Sequence, residues 1–293
     1  MICLNSFLLR TDIISSTIMV RTAQRDINTK QTPSNREVFA DLHCHTNLDP
    51  VDGVHAGARG IVNYSYQQAL AAAAKAGITV LSFTHHQKLI CTKKMITDAK
   101  RCGIHLLPGF EAVIEGHDVV LINPTTDAIH TFDQLAAERK KNPNLFVLAP
   151  HPFYPSSHSL GFALLRHVEL FDAIEFCHFY TSWWNVFNWI AICVAHTHKK
   201  TLIGTSDSHH LQTFGLTKTR IKFYSASNYL VSYSKKTRVN TISNSQTSPE
   251  LFVALRTPNS CQVITQPISF SYLWRVLSSI ARMSGFFNKS SQN

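Results

Sequence analysis

The stretch ADLHCHTNLDPVDG, residues 40–53, decides how the chain is read. Asp41, His43 and His45 occupy alternating positions, and Asp49 and Asp52 follow closely. A β-strand has a side-chain period of two, so His43 and His45 project from one face and can grip one cation together. Asp41 shares that parity and can orient an imidazole or bind directly. Cys44, between the two histidines, points to the opposite face and is not counted as a ligand. A lone HxH is often a surface pair, so the reading depends on what the rest of the chain brings to it.

Working outward, short β-branched runs alternate with helical patterns. EVFADLH (37–43), ITVLSFTHH (78–86), IHLLPGFEAVI (104–114), HDVVLIN (117–123), LFVLAPHPF (145–153), DAIEFCH (172–178) and TLIGTSDSHH (201–210) read as strands, the third and fourth paired with each other. Between them, residues 60–77, 92–103, 131–141 and 185–199 read as helices, the first stopped by Gly77 and the third capped by Thr131. Residues 219–226 read as a further strand and 248–257 as a helix capped by Ser248. Strands alternating with helices of this length give βαβ units and a mainly parallel sheet. In a closed α/β barrel all the C-terminal strand ends open on one face, where sites are built. Six of these strands end in ionisable groups: His43/His45, His85/His86, Glu111, His151, Glu175/His178 and Asp207/His209. That convergence explains the row of histidines in the first strand.

Residue by residue, His85 and His86 are adjacent and point opposite ways, so one is a ligand and the other an orienting group or substrate contact. Glu111 among so many imidazoles suits a bridge between two cations. His117 begins the next strand, Pro152 stiffens the loop after His151, and Asp207 and His209 form a DxH pair mirroring the first. His55, His105, His130, His158, His167, His196 and His198 read as solvated or core residues, and the parity of His210 points it away from the site.

DLHCHT, FTHH, GFEAVIEGHDVVLI, APHPF, DAIEFCHFY and GTSDSHH occur in the order and approximate spacing of the polymerase-and-histidinol-phosphatase (PHP) superfamily, which the chain resembles from about Phe39 to about Pro267. The resemblance implies a distorted α/β barrel of seven strands and a two- or three-ion centre that hydrolyses phosphoesters with a metal-activated water. It implies that His43, His45, Glu111 and Asp207 hold one ion, that His86, His117, His151 and His209 hold the others, and that Glu111 bridges. Asp207, His209 and His86 then carry catalysis. Two departures stand out. The Asp-Gly that closes the family's first motif is delayed here, so Asp49 and Asp52 compete for the carboxylate position, with Asp52 preferred because it keeps the Asp52-Gly53 pair. The aspartate of the second motif has become His85. Imidazole and carboxylate donors together suit Mn, Fe or Zn. No P-loop, G-x-S-x-G or Cys-His nucleophile pattern offers an alternative chemistry.

Composition bounds the rest. The 293 residues carry a formal charge of +10, but it is uneven. Residues 1–36 hold five Lys/Arg and two Asp; residues 37–210 hold thirteen Lys/Arg and fifteen Asp/Glu; residues 211–293 hold ten Lys/Arg and one Glu. The histidine-rich region is therefore slightly acidic, which favours a small phosphoester or nucleotide end over a tracked polyanion. The basic 211–293 keeps nucleic acid open as a partner. Seven scattered cysteines without a CxxC argue for a reducing compartment, and the cytoplasm is expected. No apolar run is long enough to span a membrane. Residues 1–36 read as a disordered extension, 37–267 as the hydrolase domain, and 268–293 as an amphipathic helix packed on it. Two competitors remain: an amidohydrolase-like C–N hydrolase, disfavoured because no strand end offers a lysine, and a non-catalytic binding module of the same fold.

Overall fold

Local chemistry sets each helix boundary. In the computed structural model, which describes residues 18–20, 37–55, 57–223 and 249–274, Ser65 and Gln68 form a reciprocal capping box that starts the helix Tyr66–Lys75. Thr131 and Gln134 do the same for Phe132–Lys141, and the Thr92 hydroxyl caps Lys93–Arg101. The helix expected over 60–77 therefore begins only at Tyr66, because Ser65 satisfies the free N–H groups there.

Among the described residues ten strands form one sheet: β1 (Ile18–Val20), β2 (Glu37–Asp41), β3 (Val80–Phe83), β4 (His105–Ile114), β5 (His117–Ile122), β6 (Phe146–Ala149), β7 (Ala173–Phe176), β8 (Thr201–Gly204), β9 (Thr217–Lys222) and β10 (Cys261–Thr265). Their order is β1-β10-β9-β2-β3-β4-β5-β6-β7-β8. β2–β4 run parallel, as do β6–β8, while β5 pairs antiparallel with both β4 and β6. β9 lies antiparallel between β2 and β10.

The sheet curls around an inner cluster that takes one or two residues from most strands, among them Ala40, Val80, Leu107, Val120, Phe146, Ala173, Ile203 and Ile221. Leu251, Phe252 and Leu255 of the helix Pro249–Arg256 fill its lower end. Arg256 of that helix donates to the Leu145 carbonyl and to Asp172 Oδ1, beside the starts of β6 and β7. The plug thus leaves the opposite, C-terminal strand ends free for a site.

Closure uses side chains. Between β8 and β9, the Gly204 N–H donates to Thr219 Oγ1 and the same hydroxyl donates to the Gly204 carbonyl, each at 2.9 Å. A Cβ at Gly204 would lie 2.8 Å from Val263 Cγ1 and 3.1 Å from Thr217 Cγ2, so only glycine permits this approach. Above that seam the ends of β2 and β8 meet directly: the Ser206 N–H donates to Asp41 Oδ1 at 3.0 Å and the His45 N–H to the Ser208 carbonyl at 3.2 Å. The result is the nearly closed, distorted barrel that the motifs imply, with β5 and β9 as its antiparallel interruptions.

Some elements differ from the sequence reading. Within the segment read as a disordered extension, Ile18–Val20 adds a parallel edge strand to β10. β10 itself was not expected: CQVIT is short and sits alone, and its partners are remote in sequence. Residues 270–274 are helical, whereas 275–293 and the Ser248 cap lie outside the described residues. Among the described residues no helix is long and apolar enough to cross a membrane.

Candidate metal centre

β2 ends at Asp41, and strict alternation ends with it. Leu42 packs into the inner cluster, yet the next residue, His43, reaches the inward carboxylates. His43 Nδ1 lies 2.9 Å from Glu175 Oε1. With that nitrogen protonated and donating, the Nε2 lone pair is free, 3.4 Å from both Glu111 Oε2 and Asp207 Oδ1. His45 is held the same way: Nδ1 sits 2.8 Å from Asp49 Oδ2, and Nε2 faces Asp207 Oδ1 at 3.4 Å and Glu111 Oε2 at 3.6 Å. His86 Nδ1 lies 2.9 Å from the same Asp49 oxygen, leaving Nε2 3.3 Å from Glu111. His151 Nε2 approaches Glu111 Oε1 at 3.4 Å, and His209 Nε2 lies 3.0 Å from Asp52 Oδ2.

Among the described residues three donor groups result, each with its atoms within 4.8 Å of one another: His43, His45 and Asp207; His43, Glu111 and His151; His45, His86 and His209. His43 Nε2, His45 Nε2 and Glu111 Oε1 are buried and make no hydrogen bond. Buried polar atoms without hydrogen bonds are costly, and here the two imidazole nitrogens converge on Glu111 Oε2 and Asp207 Oδ1 while Glu111 Oε1 faces His151 Nε2. Mixed imidazole and carboxylate donors in this arrangement fit divalent transition ions.

Electrostatics agree. Burial opposes charge on His43, but Asp207, Glu111 and Glu175 override it and hold the imidazole well above its ordinary pKa. His151 is likewise raised to about 9 against its burial, chiefly by Glu111 and Asp207. His45, His86 and His209 are raised too. Burial would raise Glu111 and Asp207, yet the surrounding imidazoles hold both well below the usual carboxylate range. The cluster is thus a negative potential that protons or metal cations can neutralise.

Backbone strain marks the same place. His151 and Asp207 adopt left-handed conformations, with φ of 28° and 40°. Non-glycine residues held this way recur at functional sites.

Of the residues proposed from sequence, His43, His45, His86, Glu111, His151, Asp207 and His209 come together in the three groups. Asp52 lines the cleft above them, paired with His209 and 3.5 Å from Arg59 Nη1. Its competitor Asp49 is committed to the Nδ1 atoms of His45 and His86. His117 stands apart: its Nδ1 faces the Ser159 carbonyl at 3.0 Å, and none of the three groups includes it. Asp41 receives the Ser206 and His43 N–H groups rather than an imidazole ring. His85 belongs to none of the three groups: its Nε2 lies 2.7 Å from Thr46 Oγ1, and burial pushes its pKa down to about 3.

Other residues emerge only in three dimensions. Glu175 was visible as a strand-end carboxylate, but its partner His43 was not. His210, read as facing away, lines the cleft, because the strand stops at Gly204 and alternation does not extend to it. Tyr272, from the far C-terminal segment, lines the cleft with no signal in its neighbourhood. Lys88 pairs with Asp127 at 2.9 Å and is not part of the lining, whereas Arg59 is. The cleft has a volume of about 1280 Å³. The described basic residues of the C-terminal third lie elsewhere: Lys218 donates to the Ala76 carbonyl, Arg220 to Gln262, and Arg256 sits below the barrel.

No family model and no curated protein matches the chain. Solved structures do. PsfC from Pseudomonas syringae is 15% identical, with a TM-score of 0.54 over 85% of this chain and 98% of that one. A two-domain protein from Bacteroides vulgatus, described as containing a PHP-like metal-dependent phosphoesterase, is 18% identical with a TM-score of 0.48. That match covers 69% of this chain, which spans only 63% of the Bacteroides protein. The lesion-specific endonuclease EndoQ from Pyrococcus furiosus is 13% identical, with a TM-score of 0.48 over 78% of this chain and 58% of that one. Likeness at such identity speaks for the fold alone, and over most of both chains that fold is shared with PsfC.

Proposed function

We propose that residues 37–267 form a metal-dependent phosphoesterase that hydrolyses a phosphomonoester or a nucleotide-end phosphoester with water as nucleophile. The observation that carries this reading is a set of buried atoms that make no hydrogen bond, His43 Nε2 and His45 Nε2 converging on Glu111 Oε2 and Asp207 Oδ1, and Glu111 Oε1 beside His151 Nε2, below an open cleft. His43, His45 and Asp207, with Glu111, would hold one ion; Glu111 and His151 a second; His86, His209 and Asp52 a third. Bound Mn, Fe or Zn supplies Lewis acidity, lowering the pKa of water and neutralising charge on the phosphoryl group.

The chain's own residues do the rest. Glu175 and Asp49 fix which imidazole nitrogen carries the proton and keep Nε2 of His43 and His45 available. Arg59 is the one Lys or Arg side chain lining the cleft among the described residues, and it is placed to hold a phosphoryl oxygen. Asp207, His209 and His86 flank the reacting group. Ser208 Oγ, beside Asp207, is engaged with the His210 carbonyl and Thr213 and is not poised as a nucleophile. The free cysteines of the described residues fit the cytoplasm, where we place the protein.

The test is turnover on a panel of phosphomonoesters, mononucleotides and oligonucleotide ends after loading with Mn²⁺ or Zn²⁺, with metal content measured. Activity should need the metal, vanish with a chelator and be lost in Asp207→Asn. Chelator-resistant turnover, or full activity in that variant, would place the chemistry elsewhere.

A further inference from the structure

The segment after β10 leaves the sheet and climbs to the rim of the cleft. The Gln266 N–H donates to the Leu216 carbonyl at 2.8 Å and the Ile268 N–H to the Tyr180 carbonyl at 2.9 Å. At the next turn the Tyr272 N–H donates to Ser269 Oγ at 3.2 Å and the Leu273 N–H to the Ser269 carbonyl at 3.0 Å. These tethers set Tyr272 in the wall of the cleft that holds Asp207 and His209. Its ring stands edge-on to His210, with centroids 5.9 Å apart and an interplanar angle of 86°. His210 is exposed, so one face of this ring pair is available to a ligand.

The remaining lining narrows what such a ligand is. Tyr154 and Phe179, packed edge to face at 6.5 Å, add aromatic surface to the cleft. Asn63, Gln87 and Gln212 supply uncharged hydrogen-bonding groups. Arg59 is the single Lys or Arg of the described lining, which suits one phosphoryl group rather than a run of phosphates. At about 1280 Å³ the cleft has room for much more than a phosphate ion.

Building on the proposed phosphoesterase reading, we propose that Tyr272 and His210 form a stacking shelf that selects phosphoesters whose organic group is a planar aromatic ring, a nucleoside above all, over aliphatic phosphoesters. Tyr272 is a specificity residue here: it touches the organic group and leaves the ion-holding residues undisturbed. Stacking of a base on an aromatic side chain is lost on truncation to alanine, at a cost of about tenfold or more in affinity.

The experiment is calorimetric binding to the full-length, Mn²⁺-loaded chain, with metal content verified, using a nucleoside monophosphate, glycerol phosphate and inorganic phosphate. The wild type should bind the nucleotide at least tenfold more tightly than glycerol phosphate. Tyr272→Ala should erase that difference and leave inorganic phosphate binding unchanged, while Tyr272→Phe keeps it. His210→Ala, a change at an exposed side chain, should give a partial loss and serves if Tyr272→Ala does not fold. A wild type without preference, a Tyr272→Ala that keeps it, or an equal loss on all three anions would overturn the shelf. Binding is read without turnover, so absence of hydrolysis would count against the phosphoesterase reading while the affinities still judge this one.

Discussion

Replacing Glu175 by Gln tests whether the imidazoles are held for metal. Glu175 is fully buried and belongs to none of the three donor groups, yet it sits 2.9 Å from His43 Nδ1 and also accepts from the Thr205 hydroxyl and the His151 N–H. Glutamine keeps the shape and one acceptor oxygen but removes the charge. A hydrogen bond to a charged group contributes about 1.5–3 kcal/mol and a neutral one about 0.5–1.5 kcal/mol. The difference, of order 1.4 kcal/mol, is about tenfold in an equilibrium constant. Changes to groups that orient metal-bound histidines typically cost about 10–100-fold in affinity or activity. Glu175→Gln should therefore raise the dissociation constant for Mn²⁺ or Zn²⁺ at least about tenfold, measured by competition with a chromophoric chelator. The metal-free variant should keep the wild-type near-ultraviolet dichroism. A variant folded in this way whose metal affinity stays within about twofold of wild type would refute the argument.

Three other outcomes follow from the same geometry. His151 is raised from 6.5 to about 9, and His43, His45, His86 and His209 are raised as well. Groups raised on folding stabilise the metal-free chain fully below their unfolded pKa and lose that contribution as pH climbs through the folded value. The melting temperature without metal should fall between about pH 7 and 9, while metal affinity rises across the same interval because bound protons are displaced; a pH-independent affinity would contradict this. Gly204→Ala places a methyl 2.8 Å from Val263 Cγ1, so a loss of about 1–3 kcal/mol is expected in urea unfolding, and an unchanged midpoint would dismiss the close approach. Removing residues 1–36 should leave kcat/KM unchanged, since the donor groups begin at His43, with a small drop in melting temperature from the lost β1 edge; a large fall in turnover on a folded protein would refute this.

Much of the barrel was legible because periodicity and capping are local. Thr131 and its helix, the β4–β5 hairpin and the strand-end histidines and carboxylates follow from residues close together in sequence. The motif order then supplied closure of the sheet. What escaped depends on distance along the chain. Asp52 and Asp49 are both carboxylates in one loop, and only the Nδ1 atoms of His45 and His86 separate their roles. His117 has the right residue type on the right strand, but the Ser159 carbonyl, 42 positions away, engages its ring. Strand parity also overreached: it was extended past Asp41 and Gly204, where the regular backbone stops, and so misjudged Asp41 and His210.

The seam at Gly204 has a consequence for how the molecule assembles. Ser206 and Asp41, which meet above it, are 165 positions apart, so strands β3 to β8 all lie in the loop their contact closes. Contacts of such separation are made late, after shorter-range ladders have offset their entropy. His43 and His45 stand on one side of that junction, Asp207 and His209 on the other. Two of the three donor groups therefore span the junction and are not complete until it closes. Cation affinity would report on ring closure itself, and an ion bound between the two sides would act as a rivet across that joint, stabilising the closed state.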